Sequence, residues 1–521
     1  MKHLLWQSDL GDGTYKNPIL FADYSDPDVI RVGDTYFLTA SSFNYVPGLP
    51  ILVSKDLVNW KLVNYAIKNL PYEAYDRPAH AKGVWAPSIR YHNCEYWIFV
   101  GFPDEGIFML HTKDPLGEWS EPICVREAKG FIDPCPFWDE DGKAYVIHAY
   151  AKSRIGFKSK LGIFPMSPDG TTCIGEDTFI YDGTETQPTI EGPKVLKRDG
   201  YYYIFAPAGG VKPGWQTVLR SKNLYGPYEE KIVMHQGNTT TNGPHQGGLV
   251  DTPTGEEWFI HFQDAGVYGR ICHLQPVIWE NGWPIIGIDR EGNGTGEPVY
   301  TYKKPAGNPE VTPIYLEASD DFNKNTLELQ WQWQANYKDN FYSLKENPGH
   351  LRLFNRNPLK EINPLIWDSA NVLTQKIVCP EFKASTKMIV SHLDSNSNAG
   401  LLMLGGAYAY LAIHKEDSKL QLIYVESDEV DNVYSENTLS TIDVDSDLNE
   451  IYLSLTFKDG TCSFSYSFDN TSYTELPMKF TPNDHQWVGA KIGLFSLSMD
   501  RKETNGYADF SYFTVDSVES L

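Results

Sequence analysis

Short aromatic and aliphatic runs, each preceded by a polar turn, recur at regular intervals through the first half of the chain. The runs are GDTYFLTAS, HNCEYWIFVGF, EDGKAYVIHAY, RDGYYYIFAPA and TGEEWFIHFQD, beginning at residues 33, 92, 140, 198 and 254. With Tyr36, Tyr96, Tyr145, Tyr202 and Trp258 taken as equivalent, the spacings are 60, 49, 57 and 56 residues. This is the length of a four-stranded propeller blade with its loops, so five copies predict five blades.

A second pattern lies between these runs. The segments SKDLVNW, TKDPLGEW and SKNLYGPY begin at residues 54, 112 and 221. Each is placed where a turn should lead into the outer strand of a blade. Long amphipathic helical stretches are absent, and neither a sandwich nor a doubly wound fold predicts this double register.

The pattern changes after a segment rich in Gly and Pro at residues 279–313. From about Asp320, short alternating strands follow one another, as in AGLLMLGGAYAYLAIHKED (399–417) and IYLSLTFKDGTCSFSYSFD (451–469). Alternation with turns at regular intervals is typical of a β-sandwich. The chain is therefore predicted to be all-β, with a propeller at residues 1–303, a linker at 304–319 and a sandwich at 320–521.

Composition narrows the choice of partners. The chain has 44 basic and 68 acidic residues, a net charge of −24. Such a surface repels phosphate backbones and anionic lipids, so a neutral substrate is favoured over nucleic acid or a membrane. The start, MKHLLWQSDLGDG, lacks the apolar stretch of a signal peptide, which favours a cytoplasmic location. Homo-oligomer formation is left open.

The residues in front of each aromatic run carry the candidate chemistry. They read SDPDVIRV, WAPSIRY, DPCPFWD, EGPKVLK and HQGGLVD. If each opens the innermost strand of its blade, five residues gather around one axis: Asp26, Trp85, Asp133, Glu191 and His245. Proline after the acid is tolerated at a strand start and is expected to hold the acid in an extended conformation. The arrangement predicts carboxylates aimed into the channel.

Three converging acids suit hydrolysis of a glycosidic bond, which needs one carboxylate ionised and another protonated. A single Asp-Pro pair is better explained as a capped turn at a strand start, whereas three acids at equivalent blade positions favour catalysis. His245 is either a structural hydrogen-bonding residue or one that lines the channel or associates with a metal. Arg270 is either a surface cation or a positive charge that lowers the pKa of a neighbouring acid.

The same segments resemble glycoside hydrolase family 43, the five-bladed propeller enzymes that remove xylose or arabinofuranose from plant polysaccharides. NPILFADYSDPDVIRVGDTYF, GFIDPCPFWDEDGKAYV, TIEGPKVLKRDGYYYIF and GRICHLQPVIWENGWP match four motifs of that family in order. The resemblance implies a general base, a pKa-modulating and orienting acid, a general acid, an arginine contacting both sugar and modulator, and two aromatic residues lining subsite −1. The general base falls on Asp26, the pKa-modulating acid on Asp133 and the general acid on Glu191. The arginine is Arg270, and the two aromatic residues are Phe43 and Trp85.

The resemblance extends into the second half, where DDFNKNTLELQWQW and GYADFSYF look like the jelly-roll, concanavalin-like domain attached to the xylosidase and arabinofuranosidase branches. It implies an exo-acting, inverting enzyme that releases terminal β-D-xylose, α-L-arabinofuranose or both from hemicellulose oligosaccharides. It implies no required cofactor, and a structural calcium near His245 is an option. His245 is also a candidate substrate contact.

Two other functions remain as alternatives. A retaining β-fructosidase shares the five-bladed architecture, but its usual Trp-Met-Asn-Asp-Pro-Asn opening is missing. A non-catalytic carbohydrate-binding propeller has no need for all three acids, and all three are present.

Overall fold

The computed structural model describes residues 5–309, 311–430, 433–501 and 504–518. In these residues, five four-stranded antiparallel sheets precede two seven-stranded sheets. The first strand of blade one contacts the first strands of blades two and five, so the blades form a ring around one axis. The predicted five-bladed propeller followed by a concanavalin-like β-sandwich is confirmed.

Each blade is built from four consecutive strands, ordered from the channel outward. A short strand, β1, precedes the blades and another, β22, follows them. The bounds are β1 Thr14–Lys16; blade one β2 Asp28–Val32, β3 Thr35–Thr39, β4 Gly48–Ser54, β5 Trp60–Ile67; blade two β6 Pro87–His92, β7 Glu95–Phe102, β8 Gly106–Thr112, β9 Ile123–Glu127; blade three β10 Phe131–Trp138, β11 Ala144–Tyr150, β12 Lys160–Met166, β13 Thr178–Asp182; blade four β14 Lys194–Arg198, β15 Tyr201–Ala208, β16 Trp215–Ser221, β17 Glu229–Met234; blade five β18 His245–Asp251, β19 Glu257–Asp264, β20 Arg270–Glu280, β21 Trp283–Ile286; and β22 Thr301–Lys303.

The repeated aromatic run is the second strand of every blade, because its side chains face neighbouring sheets on both sides. In blade five, Trp258 contacts Tyr15 and Tyr302, while Phe259 stacks on Phe205 of blade four. The polar turn before each run joins the first and second strands; in blade four it contains Gly200, whose φ of +77° favours glycine. The second predicted pattern also lies where expected, between the third and fourth strands of blades one, two and four.

The ring closes without a shared blade. All four strands of blade five come from one continuous segment, and β1 pairs antiparallel with β22 outside the blades. A further bridge joins Leu20 to Cys272. Closure therefore depends on packing between blades one and five and on these small additions.

The second half forms two stacked seven-stranded sheets. One has the order β23-β26-β35-β28-β29-β30-β31 and the other β24-β25-β36-β27-β32-β33-β34. The bounds are β23 Gln332–Trp333, β24 Tyr342–Ser343, β25 Leu351–Phe354, β26 Val372–Lys376, β27 Phe382–Ile389, β28 Ser397–Leu404, β29 Tyr408–Glu416, β30 Lys419–Val430, β31 Val433–Val444, β32 Glu450–Lys458, β33 Thr461–Ser467, β34 Thr474–Phe480, β35 Lys491–Ser498 and β36 Tyr507–Ser517. In β27 and β32, alternate residues are buried, as the alternating pattern predicts.

Helical structure is minor. Within the described residues it consists of one short α-helix, α1 Lys152–Ile155, and the 3₁₀ turns Glu73–Asp76, Gly266–Tyr268, Asp339–Phe341 and Ile366–Asp368. Across the part of the chain described above, no helix has the length and apolar character needed to cross a membrane.

Propeller and sandwich share a continuous apolar core, since a single cluster of buried side chains contains residues of both. Backbone hydrogen bonds also cross between them. Val46 and Trp333 exchange two, of 3.0 and 2.6 Å, and the Gly489 N–H donates to Asp23 Oδ2 over 3.0 Å. Trp333 is among the largest fully buried side chains. The two parts therefore pack as one body around the site described next.

Candidate active site

A pocket of about 320 Å³ lies at the end of the channel where the innermost strands begin. Six of the residues predicted from sequence line it together: Asp26, Phe43, Trp85, Asp133, Glu191 and Arg270. They come from all five blades. Four of them lie at or near the start of a blade's first strand, whereas Phe43 lies in the loop between β3 and β4 and Arg270 begins β20 of blade five. The repeat in the sequence thus becomes a ring of side chains around one cavity.

Asp26 is held by three side-chain donors. The hydroxyls of Ser25 and Ser41 each donate to its Oδ2 over 2.7 Å, and Arg270 Nη1 donates to Oδ1 over 3.1 Å. The carboxylate and the guanidinium are both buried, so this ion pair is only weakly screened by water. Asp26 is fixed as a hydrogen-bond acceptor whose position does not depend on substrate.

The backbone at both Asp-Pro pairs differs from the expectation. An extended conformation was predicted for the acids, but Asp26 has φ of +54° and Asp133 has φ of +56°. The residue before proline is disfavoured in the right-handed region, and here it takes the left-handed one, which Asp tolerates better than most residues. At Asp133 the strand pairing also shifts, between Ile132 and Cys135. Local backbone strain, rather than extension, turns these carboxylates into the channel.

Asp133 lies deepest among the acids. Its Oδ2 accepts one hydrogen bond, of 2.9 Å, from the Gly192 N–H. Burial raises the pKa of Asp133 well above its usual value, and the negative charges of Glu191 and Asp26 raise it further. Gly192 is needed here, since it has φ of +57° and a Cβ would lie 2.6 Å from the Gln246 side chain. Asp133 therefore retains its proton more readily than an isolated carboxyl would.

His245 lies behind Glu191 and is not among the residues that line the pocket. Its Nε2 is 2.9 Å from Glu191 Oε1, and its side chain is fully buried. The sequence left His245 as a substrate contact or a structural residue; the geometry corresponds to a structural residue that positions Glu191. The neighbouring residue Gln246, which the sequence analysis did not single out, lines the pocket instead.

Arg270 contacts Asp26 rather than Asp133. Its Nη1 donates to Asp26 and to Ser25 Oγ, and its backbone N–H donates to Asp23 Oδ1. The resemblance implied that Arg270 contacts the pKa-modulating acid, Asp133. Among the described residues, no side-chain hydrogen bond joins Arg270 to Asp133. Arg270 lines the pocket, so it remains available to a substrate hydroxyl.

The aromatic wall comes from both halves of the molecule. Phe43 and Trp85 belong to the propeller, whereas Trp487 belongs to the sandwich. Trp487 stacks on Phe43 with the ring centroids 6.3 Å apart and makes an edge-to-face contact with Trp85 at 4.8 Å between centroids. Sequence reasoning missed Trp487 because no local motif marks it and more than 400 residues separate it from Phe43.

The sequence left open a calcium site at His245. Calcium prefers six to eight oxygen ligands. His245 Nε2 is engaged with Glu191, and no group of three or more His, Cys, Asp or Glu side chains in the described ranges is arranged to hold a metal ion. These residues alone do not fit calcium, and no step proposed below uses a metal.

A propeller that gathers three carboxylates beneath an aromatic wall defines a class of enzymes, the glycosidases that work with paired carboxylic acids. The chain belongs to the glycosyl hydrolases of family 43, whose family model matches residues 15–284. A second model, for the beta xylosidase C-terminal concanavalin A-like domain, matches residues 319–516.

Individual proteins resemble the chain over nearly its whole length. A protein of Xylanibacter ruminicola is 37% identical over 499 residues, covering 95% of this chain and 88% of that protein. A protein of Formosa agariphila named beta-xylosidase is 35% identical over 557 residues, covering 98% and 91%. The crystal structure of the GH43 BlXynB protein from Bacillus licheniformis superposes with a TM-score of 0.81 at 27% identity, covering 97% of this chain and all of that one.

Proposed function

We propose that the chain is an exo-acting, inverting glycosidase that releases the neutral terminal sugar β-D-xylose from hemicellulose oligosaccharides. The observation that carries the proposal is the gathering of Asp26, Asp133 and Glu191 in one small pocket beneath Trp487. The beta-xylosidase name of the Formosa agariphila relative supports xylose as the terminal sugar. α-L-arabinofuranose is the competing pentose.

In the proposed mechanism, Asp26 removes a proton from a water molecule as the oxygen attacks the anomeric carbon. Glu191 donates a proton to the leaving oxygen as the glycosidic bond breaks. One water is consumed, and proton exchange with solvent restores both acids. The donors on Asp26 suit a carboxylate base, and His245 keeps the Glu191 carboxyl turned toward the pocket.

Asp133 has a different role in this proposal. Its buried carboxyl, with raised pKa, lies in the electrostatic field of both other acids. The negative charges of Glu191 and Asp26 favour the protonated form of Asp133, so a proton is kept within the acid cluster, which is the modulating role that the family resemblance implies for Asp133.

The test combines a substrate screen with product stereochemistry. Aryl glycosides of xylose, arabinofuranose, galactose and fructose are compared by kcat/KM, and we expect the xyloside to be the best substrate. Proton NMR of the first sugar released should then show an inverted anomeric configuration. Retention would contradict the assignment of Asp26 as base and favour a nucleophile, as in the β-fructosidase alternative. Binding without turnover of any glycoside would favour the non-catalytic propeller.

A further inference from the structure

A second cavity adjoins the mouth of the catalytic pocket. It has a volume of about 350 Å³, and we call it the side cavity; its lining residues are His80, Ala81, Lys82, Asp104, Lys129, Ser153, Arg154 and Gln486. Ser153 lines both cavities. The Arg154 guanidinium carbon is 4.9 Å from the Trp85 ring centroid, on the aromatic wall of the catalytic pocket. The side cavity therefore begins where an oligosaccharide leaves the catalytic pocket.

The charge of this region is opposite to that of the whole chain. The side cavity and the mouth of the catalytic pocket are lined by five cationic side chains, namely Lys82, Lys129, Lys152, Arg154 and Lys158. Apart from the three acids of the active site, Asp104 is the one carboxylate among these lining residues. The chain as a whole has a net charge of −24. The acidic composition of the whole chain therefore does not account for five cations around one opening.

Asp104 compensates only part of this positive charge. It pairs with Arg154, with Nε–Oδ1 at 3.3 Å, and more distantly with Lys82 at 3.8 Å. Lys129, Lys152 and Lys158 have no ion pair within the ranges that the structure describes, and all three are exposed. His80 adds no charge, because burial lowers its pKa to about 3. At least three cations are thus available to a ligand.

We propose that the side cavity binds an anionic substituent, a uronic-acid carboxylate or a sulfate ester, carried by the sugar next to the terminal pentose. The proposal rests on the exo-acting function proposed above, in which every sugar beyond the first must pass the pocket mouth. The Arg154 guanidinium already donates to Asp104 and Ser153, so the exposed ammonium groups of Lys129 and Lys152 are the cations that meet the anion. The preferred substrate is then a branched, charged oligosaccharide rather than a plain neutral one.

The first measurement compares three xylo-oligosaccharides of equal length: one unsubstituted, one with glucuronic acid on the second sugar and one with a sulfate ester there. We expect kcat/KM to be higher for a charged substrate than for the neutral one by about threefold to tenfold, the range of partly exposed ion pairs. The advantage should shrink as salt rises from 10 to 500 mM, because exposed charges are screened. The substrate that shows the advantage identifies the anion.

Variants locate the effect. The double variant Lys129→Met and Lys152→Met should reduce the ratio of charged to neutral kcat/KM to near one. Lys345→Met, at an exposed site on the sandwich, is the matched control and should leave the ratio unchanged. If the lysines only balance the catalytic acids, the double variant will shift the pH profile on the neutral substrate without changing the ratio, which overturns the proposal.

Calorimetry of oligosaccharide binding to the Glu191→Gln variant distinguishes a failure of this inference from a failure of the proposed function. Tighter binding of a charged oligosaccharide than of the neutral one supports the side cavity even if wild-type protein hydrolyses no pentoside, in which case the proposed function fails alone. Equal or weaker binding of both charged oligosaccharides overturns the side cavity, whatever the turnover of neutral substrate.

Discussion

The propeller and the sandwich contribute unequally to the catalytic pocket. The propeller supplies all three acids and Arg270, whereas among the lining residues the sandwich supplies Trp487 alone. The acids occupy positions related by the blade repeat, and Trp487 lies in a loop before β35 with no counterpart in the propeller. Reactive groups thus come from the repeated framework, and the shape of the opening comes from the appended domain.

The two contributions are joined through one side chain. Asp23 accepts the Arg270 N–H with Oδ1 and the Gly489 N–H with Oδ2, each over 3.0 Å. A backbone–backbone hydrogen bond, from Ala490 N–H to Val267 O over 2.8 Å, fixes the same loop. These bonds hold the loop that carries Trp487 against the strand that carries Arg270. The contribution of each half of the molecule to the pocket can be tested separately.

Removing the sandwich should have the largest effect. A chain ending near Lys303 exposes the propeller surface that packs against Trp333 and its neighbours, so we expect poor solubility and activity near the detection limit. Solubility and xyloside turnover are measured against the full chain. The sandwich expressed from about residue 314 should bind xylan weakly in affinity electrophoresis. A soluble, fully active propeller or strong xylan retention by the sandwich would contradict a merely structural, pocket-shaping role.

Changing the propeller acids should have the next largest effect. Glu191→Gln keeps the shape and removes the transferable proton, so xylobiose turnover should fall by about three orders of magnitude or more. Dinitrophenyl xyloside should lose much less, because its leaving group departs without protonation. Asp26→Asn should lower kcat/KM for every substrate alike, since all require the activated water.

The decisive measurement is kcat/KM for both variants across leaving groups of falling pKa. Loss that is flat for Glu191→Gln and graded for Asp26→Asn would mean that the acid and the base are exchanged. Circular dichroism of both variants serves as the folding control.

Changing Trp487 should have a smaller effect of another kind. Trp487→Ala removes a ring that contacts Phe43 and Trp85, so kcat/KM should fall by about tenfold, mainly through KM, if the ring contributes roughly 1–1.5 kcal/mol of stacking. Trp487→Phe should restore most of the loss because it keeps an aromatic face. A fall confined to kcat would show instead that Trp487 helps to organise the acids.

The smallest effect on activity is expected outside the pocket, where the prediction concerns stability and its dependence on pH. Lys491 is buried and Lys376 is half-buried at the domain interface, and burial lowers the pKa of Lys491 to about 7. The unfolded chain binds this proton up to about pH 10.5, so between those values unfolding takes up a proton and stability rises with pH, by at most about 1.4 kcal/mol per unit. Lys491→Met should be most stabilising below pH 7 and lose this advantage toward pH 10.

Calorimetric melting at several pH values measures this. Parallel pH dependences of Lys491→Met and wild type would contradict the prediction. The exposed Lys345→Met controls for a general loss of positive charge.

Sequence reasoning reached the propeller because its information is local and repeated. An aromatic strand that recurs at near-constant spacing identifies each blade. The start of the innermost strand, which pairs with the aromatic strand, identifies the channel positions of Asp26, Asp133 and Glu191. It missed what depends on long-range packing: Trp487, the Asp23 link and the position of His245 behind Glu191. It also assigned extended backbone to the Asp-Pro pairs, because local preference before proline says nothing of the tertiary contacts that hold a left-handed conformation.

That left-handed backbone has a genetic consequence. Asn and Gly adopt positive φ at least as readily as Asp, and each is one nucleotide away from an Asp codon. At Asp26 and Asp133, the mutations that most easily abolish catalysis are thus also those that the backbone accepts with little strain. A single base change in the gene can therefore give a folded propeller that still binds its sugar but no longer hydrolyses the glycosidic bond. A lectin-like descendant is an accessible outcome of gene duplication.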